Sequence, residues 1–386
     1  MRLFAFVPIL FTLMNAYIFW RLRSAFGPGR WMWVAGVFFL AMVTLFFFRR
    51  SVIGTPFETT AHSISLVWAG CVLISITWLL LLDGTRILAW VADCTAGTHL
   101  SHVLRPTRSV PVVLALCLGL CLYALYEAAT VRPRVVTVPT PALPEGVNRL
   151  RIAVITDVHI NALTGEWRLE RIANIVRQGK PDVLVSLGDL TDTNMDNKTR
   201  EAAILRGIKP PLGSYAVLGN HEFYSGLATA ERFTANAGFT LLRNEAVEAG
   251  GIVLAGVDDP IFLARAVRAT GDVSSTEEFE RRFLRGLEPH REAGKFILFL
   301  RHRPGTFYRE PGLFDMQLSG HTHGGQIWPA RYFARRANEN IRQGLSRFTD
   351  GTRETLVYVS NGTGFWGPPM RLFTPPEVTF VDLVRK

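Results

Sequence analysis

Four stretches of this 386-residue chain carry no charged side chain: residues 3–20, 31–48, 63–82 and 109–126. Crossing a hydrocarbon core as a helix takes about 20 predominantly apolar residues. A helix buried in a soluble protein keeps a polar face at the 3.6-residue period, and these runs have none. They predict a transmembrane region of four helical spans over residues 1–128. The first run does not read as a signal peptide. Only Arg2 precedes it, no small-residue cleavage site follows, and further spans come after it. The runs account for a composition that is 48% hydrophobic and only 19% charged, unusual for a soluble enzyme.

The net charge of +10 is mostly arginine flanking the spans, as expected at lipid headgroups. No long Lys/Arg run points to nucleic acid. The loops between the first and second and the third and fourth runs hold Arg21, Arg23, Arg30, Arg86, Arg105 and Arg108. The other side holds Arg2, Arg49, Arg50, Arg132 and Arg134. This asymmetry favours a C-terminal domain outside the cytoplasm. Residues 86–108 are long for a loop, and "ILAWVADC" within them suggests an interfacial helix. A transport pathway needs ionisable residues inside the spans, and the four runs contain none. Cys71, Cys94, Cys117 and Cys121 all precede residue 128 and read as packing residues. The remainder therefore has neither disulfide nor thiol chemistry, which is compatible with an oxidising compartment.

Residues 129–148, rich in Val, Pro and Thr, read as an extended linker. From 149 onward the pattern alternates. "RLRIAVIT", "PDVLVSLGD", "SYAVLGN", "GIVLAGVDD", "KFILFLRH", "FDMQLSGH", "ETLVYVSNG" and "EVTFVDLV" read as apolar strands. "EWRLERIANIVRQ" and a segment near 275–286 read as amphipathic helices. Such alternation predicts an α/β domain over residues 149–386, long enough for a full core.

Strand after strand runs into a potential metal ligand. The first reaches Asp157 and His159, the second Asp189, the third Asn220 and His221, then His302, then His321 and His323. In α/β sheets ligands gather beyond the carboxyl ends of strands, so these residues are expected to converge on one crevice. Carboxylates and imidazoles together, with no cysteine, suit Mn, Fe or Zn. There are too many donors for one tetrahedral ion and enough for two ions sharing a bridging carboxylate. Glycines at 188, 219, 320, 324 and 325 let the backbone turn and approach a crowded centre.

The motifs "DVH", "GDLTD", "GNHE", "RHRP" and "GHTHGG", in that order, resemble those of the calcineurin-like metallophosphoesterases over about residues 149–386. The tail "SNGTGFWGPPMRLFTPPEV" resembles the bacterial membrane-associated branch, which includes cell-envelope phosphoesterases and UDP-diacylglucosamine pyrophosphatase-like proteins. The resemblance implies an α/β fold, a four-layer αββα sandwich, here preceded by the four-helix transmembrane region. It also implies a two-metal site. By position, Asp157, His159 and His323 would hold one metal, and Asn220, His302 and His321 the other, with Asp189 bridging. His221 would serve as general acid or phosphate contact, oriented by Asp192. Glu222 carries no assigned role, and Arg301 and Arg303 read as surface or rim.

The expected activity is that of a membrane-anchored, dinuclear metal-dependent phosphoesterase. The bond is a phosphomonoester, phosphodiester or pyrophosphate, with a lipid-linked substrate as one class. The alternative is a non-catalytic phosphate- or lipid-binding module on the same fold, which should have lost ligands that this chain retains. Residues 327–348 bring Arg331, Arg335, Arg336, Arg342 and Arg347 together with Trp328, Tyr332, Phe333 and Phe348. That mixture suits either a solvated surface excursion or a lid at the membrane surface.

Overall fold

Valine, isoleucine and leucine at a two-residue period send alternate side chains to opposite faces of a strand. The strand β2, defined below, shows the result. Leu150, Ile152 and Val154 join one buried cluster, and Ala153 and Ile155 join another on the opposite face. Both faces are covered, as expected where helices and a second sheet sandwich a largely parallel sheet. The computed structural model describes residues 2–52, 55, 57–161, 163–264, 275–305 and 310–386. The chain divides into two compact units. One comprises residues 1–127, 327–329 and 367–373, and the other the remainder.

The helical unit contains α1 (Arg2–Phe26), α2 (Trp31–Phe48), α3 (Glu58–Ala96), α4 (Leu100–Val103) and most of α5 (Pro106–Ala129). Among the described residues α2, α3 and α5 are long and apolar enough to cross a membrane. The remaining predicted span, 3–20, falls within the 25-residue α1. The expected loop at 86–108 is not a loop at its start. α3 runs on for 39 residues and takes up "ILAWVADC". Gly84 lies inside the helix, where a glycine costs only about 1 kcal/mol. The stop comes at Gly97, whose left-handed φ of +68° ends the helix. Asp93 then accepts the N–H groups of Leu100 and Ser101 and turns the chain into α4. Aromatic stacking ties α1 to α2, with Phe11 and Phe46 4.2 Å apart. The indole of Trp68 on α3 donates to Asn15 of α1 at 2.9 Å, and Arg21 pairs with Asp83.

Two short segments from the C-terminal half also belong to this unit, so a single boundary near residue 128 does not describe it. Ile327, Met370 and Leu372 pack with Ile74, Cys117, Cys121 and Ala124. The Arg371 N–H donates to the Ala124 carbonyl at 2.9 Å. Apolar side chains on these excursions find their partners on α3 and α5.

The other unit begins with β1 (Arg132–Thr140), β2 (Arg149–Ile155), α6 (Glu166–Gly179), β3 (Val183–Ser186), α7 (Thr199–Arg206) and β4 (Ser214–Ala216). There follow α8 (Asn220–Ser225), α9 (Leu227–Asn236), β5 (Thr240–Leu241), β6 (Glu245–Ala249) and β7 (Ile252–Gly256). Next come α10 (Thr276–Arg285), α11 (Glu288–Glu292), β8 (Ile297–Leu300) and β9 (Met316–Ser319). It ends with α12 (Ala330–Ala337), β10 (Gly344–Thr349), β11 (Glu354–Val359) and β12 (Glu377–Arg385).

Two six-stranded sheets run in the orders β1-β12-β2-β3-β4-β5 and β10-β11-β9-β8-β7-β6. Their inner faces share one apolar cluster that includes Val136, Ile152, Leu254, Leu298 and Met316. Helices α6, α7 and α9 cover the outer face of the first sheet, and α10 covers the second. This is the expected αββα arrangement. The predicted linker is corrected at β1, which pairs in parallel with β12 from Arg132–Glu377 to Thr140–Arg385. Alternate side chains Val136 and Val138 are buried, and the prolines at 133 and 139 are tolerated because β1 is an edge strand. Within each sheet the central parallel strands end on the same side: β2, β3 and β4 in one, β7, β8 and β9 in the other.

Candidate metal centre

The turns after β2, β3, β4, β8 and β9 are tight. Asp157, His159, Asp189, His321 and His323 all adopt positive φ, between 49° and 67°. Non-glycine residues rarely do so, and each such residue stores strain of about 1–3 kcal/mol that the surrounding structure must sustain. Backbone hydrogen bonds lace the turns together. Asp157 N–H donates to the Gly188 carbonyl at 3.1 Å and His159 N–H to the Asp189 carbonyl at 3.0 Å. His321 N–H donates to the Asp157 carboxylate at 3.0 Å. A Cβ on Gly219 would collide with the Asp189 carboxylate, and one on Gly320 with Thr156 and Asp157. Glycine is required there for close approach.

Six of the seven predicted ligands converge, and the seventh, Asn220, lies between Gly219 and His221, whose N–H donates to Asp189. His159 Nε2 faces His323 Nε2 at 3.0 Å, and His323 Nε2 lies 3.5 Å from Asp157. These three form one candidate metal-holding group. His302 Nε2 lies 3.2 Å from Asp189 and 3.2 Å from His321 Nδ1, and these three form another. Asp189 also joins His159 and His221 in a third, so its carboxylate stands between the two ends. The residues fit metal ions. Two pairs of imidazole nitrogens point at each other where only one proton of each pair can be accommodated. Asn220 Oδ1 is buried with no hydrogen-bond partner, and a buried acceptor left unpaired in this way calls for an explanation. His302 Nδ1 is fixed by the Leu187 carbonyl at 2.8 Å, the usual outer support of a ligating histidine.

The electrostatics are strongly polarised. Burial raises the Asp157 carboxyl, against the pull of His302. Burial also opposes charge on Asp189, yet His302, His159 and His221 hold it well below the usual carboxylate range. His302 is raised to about 10, because Asp189 outweighs its desolvation. Its neighbour His321 is pushed down to about 2 by burial and by His302. Metal ligation at this pair requires both imidazoles neutral.

His221 opens α8. Its Nδ1 pairs with Asp192 at 2.6 Å, and its N–H donates to Asp189 at 2.8 Å. Burial works against its charge, but the Asp192 contact raises it. Two exposed rings flank it: Tyr224 at 5.5 Å and Trp366 at 5.6 Å between centroids.

Several supporting residues had no assigned role in the sequence. The buried Glu222 accepts the N–H groups of Asp189 at 3.0 Å, Thr191 at 3.0 Å and Gly219 at 2.8 Å. It ties the β3 and β4 turns together, and its place three residues after Gly219, as in a capping box, was the available signal. Arg301 is not at the surface. It is buried in an ion pair with the equally buried Glu280 of α10 at 3.1 Å, and it also donates to the Arg303 carbonyl. Arg303 is at the rim, held by Asp259 at 2.6 Å.

The model of the calcineurin-like phosphoesterase family matches residues 150–325. A protein of Aquifex aeolicus described as an uncharacterized metallophosphoesterase is 36% identical over 265 residues, covering 68% of this chain and 96% of that protein. The chain belongs to the calcineurin-like metallophosphoesterases. An uncharacterized metallophosphoesterase of Campylobacter jejuni is 28% identical and covers 100% of this chain and 99% of its own. A Danio rerio protein described as a transmembrane protein with metallophosphoesterase domain is 34% identical over 72% of this chain and 63% of that one. This metallophosphoesterase is a metal-dependent hydrolase of phosphoester bonds. Its three apolar helices, with a relative of that description, associate it with a membrane.

Proposed function

We propose that this metallophosphoesterase is a multi-pass membrane enzyme with four spans in residues 1–128, and that its catalytic domain, which takes in β1 from Arg132, faces away from the cytoplasm. Asp157, His159 and His323 hold one divalent ion of Mn, Fe or Zn. Asn220, His302 and His321 hold a second, and Asp189 bridges. The observation that carries this reading is the convergence of two facing imidazole pairs and the partnerless Asn220 oxygen around Asp189. It also accounts for the alternation in "GHTH": His321 and His323 serve different ions.

When bound, two such ions supply positive charge to the phosphoryl oxygens and activate the attacking water. The rest falls to the chain. His221 has Nδ1 committed to Asp192, which orients the ring and keeps Nε2 turned to the substrate. Its raised proton affinity suits delivery of a proton to the departing oxygen, which a poor alkoxide leaving group needs. Glu222 holds the two turns that carry Asp189 and His221 in register.

The substrate is a phosphoester presented at the bilayer surface. Helical spans give the enzyme that location. α12 supports the reading, since none of its residues is buried and Tyr332 and Phe333 are 63% and 74% exposed beside Arg335 and Arg336. Aromatic and cationic side chains together favour headgroups, with about 1 kcal/mol of attraction per arginine. Elemental analysis after Mn or Zn loading should approach two ions per chain, and one ion or none in folded protein would defeat the site assignment. Mn-loaded protein should turn over a component of a lipid extract, read by mass spectrometry. Arg335→Glu with Arg336→Glu should slow that turnover in anionic vesicles while sparing bis-p-nitrophenyl phosphate. Equal loss on both would reduce α12 to a structural element.

A further inference from the structure

We propose that Trp366 and Tyr224 form an aromatic clamp beside His221 that binds a planar ring, a nucleobase or other aryl group, on the departing side of the substrate. The proposal rests on the reading of His221 as the group that meets the departing oxygen. Whatever is bonded to that oxygen must then lie next to the two rings that flank the imidazole.

Tyr224 is 63% exposed and Trp366 55% exposed. Scattered surface aromatics need no explanation, but these two bracket a single imidazole at 5.5 and 5.6 Å, with planes at 79° and 72° to it. Tyr224 follows His221 by three positions on α8, the spacing that puts both on one helix face. Trp366 is held unusually firmly for an exposed residue. The Gln326 side chain pairs with its backbone at both ends, donating to the carbonyl at 2.8 Å and accepting the N–H at 2.9 Å. Just before it, Gly364 N–H donates to the Asp157 carbonyl at 3.0 Å and Thr363 N–H to the Thr156 carbonyl at 2.8 Å. Between them Phe365 is buried, with the Arg168 guanidinium 5.0 Å from its ring. Four hydrogen bonds to main-chain atoms, two from the Gln326 side chain and two from the backbone, and a buried neighbour thus fix the backbone that carries the indole. Gln326 adopts φ +56°, so the chain accepts strain at the residue that fixes it.

A rigid aromatic wall suits a flat ligand, because stacking needs no further ordering of the protein. An acyl chain would not use the pre-set ring plane. Stacking of one base on one aromatic ring corresponds to an affinity gain of about fivefold to a hundredfold.

The test uses the full-length chain in dodecyl maltoside and equilibrium binding of adenosine 5′-monophosphate, ribose 5-phosphate and dioctanoyl phosphatidic acid, with metal content measured in each preparation. The nucleotide should bind about fivefold to a hundredfold more tightly than the ribose phosphate. Trp366→Ala and Tyr224→Ala should each erode that ratio, and Trp366→Phe should keep most of it. Equal affinities in the wild type would overturn the clamp. So would a Trp366→Ala protein that loses both sugar phosphates in proportion, which is the mark of a structural role. Selective loss of phosphatidic acid would overturn the planar ring in favour of an acyl chain. The two readings fail separately. A full metal complement without nucleotide preference removes only the clamp, and a Trp366-dependent preference without metals removes only the metal assignment.

Discussion

In the two-sheet unit Ile152, Leu254, Leu298 and Met316 are wholly shielded, whereas α2 of the helical unit leaves Trp33 81% and Val34 73% exposed. Among the three apolar helices only 11% to 33% of the most apolar window is buried within the protein. One unit hides its hydrocarbon, and the other turns it outward. The polar groups follow the opposite rule. The two-sheet unit buries Asp157, Asp189 and His302 at its centre, and five of the candidate ligands hold positive φ. The contrast teaches where strain and charge can be stored. Desolvated ionic groups and unfavourable backbone persist only where surrounding structure over-determines them. Two sheets sharing a core gather such groups into one cluster of facing imidazoles and carboxylates, whereas the helical unit buries Arg21 against Asp83 and Asn15 against Trp68 as separate pairs.

The contrast is tested most severely by Asp189→Asn. It removes the charge shared by both ends of the site. Metal content by elemental analysis and hydrolysis of bis-p-nitrophenyl phosphate should fall together, the latter by about 10³-fold or more. Retention of both ions would mean that the carboxylate is not central. His221→Ala should separate chemistry from metal holding. Turnover is expected to drop about 10²–10⁴-fold at an unchanged metal content, with the greatest loss on substrates with poor leaving groups. An emptied site would put His221 among the ligands.

Arg301→Ala breaks a buried ion pair and leaves Glu280 uncompensated, a loss of about 3–5 kcal/mol. Thermal unfolding in detergent should move down by roughly 10 °C. A negligible shift would show that the strained turns do not depend on this pair. The smallest effect is expected in the helical unit. A side chain at Gly70 would press on Met370 and Pro368, so Gly70→Val should destabilise by about 1–3 kcal/mol and leave metal content unchanged. Loss of the ions in that variant would erase the distinction between the two units.

Much of this was legible from short-range pattern. Each ligand follows a short run of largely buried strand residues, and the ligand types need no alignment to be noticed. Charge-free runs likewise declare long apolar helices, three of which, among the described residues, are long and apolar enough to cross a membrane. What escaped was whatever depended on distant partners. β1 looked like a linker because its alternation is short and interrupted by prolines, and only pairing with β12 makes it a strand. α3 outran its apolar segment because helix continuation obeys caps and backbone, not hydropathy. Arg301 looked like surface because its partner, Glu280, lies 21 positions away.

The sequence by itself determined the element types, the apolar spans and the chemical identity of the donors, since periods of 2 and 3.6 are written into neighbouring residues. Only the tertiary structure decided which donors face one another. His159 and His323 are 164 positions apart yet their nitrogens stand 3.0 Å from each other. That distance is set by the register of strands in two sheets and by their common core, so no local pattern carries it.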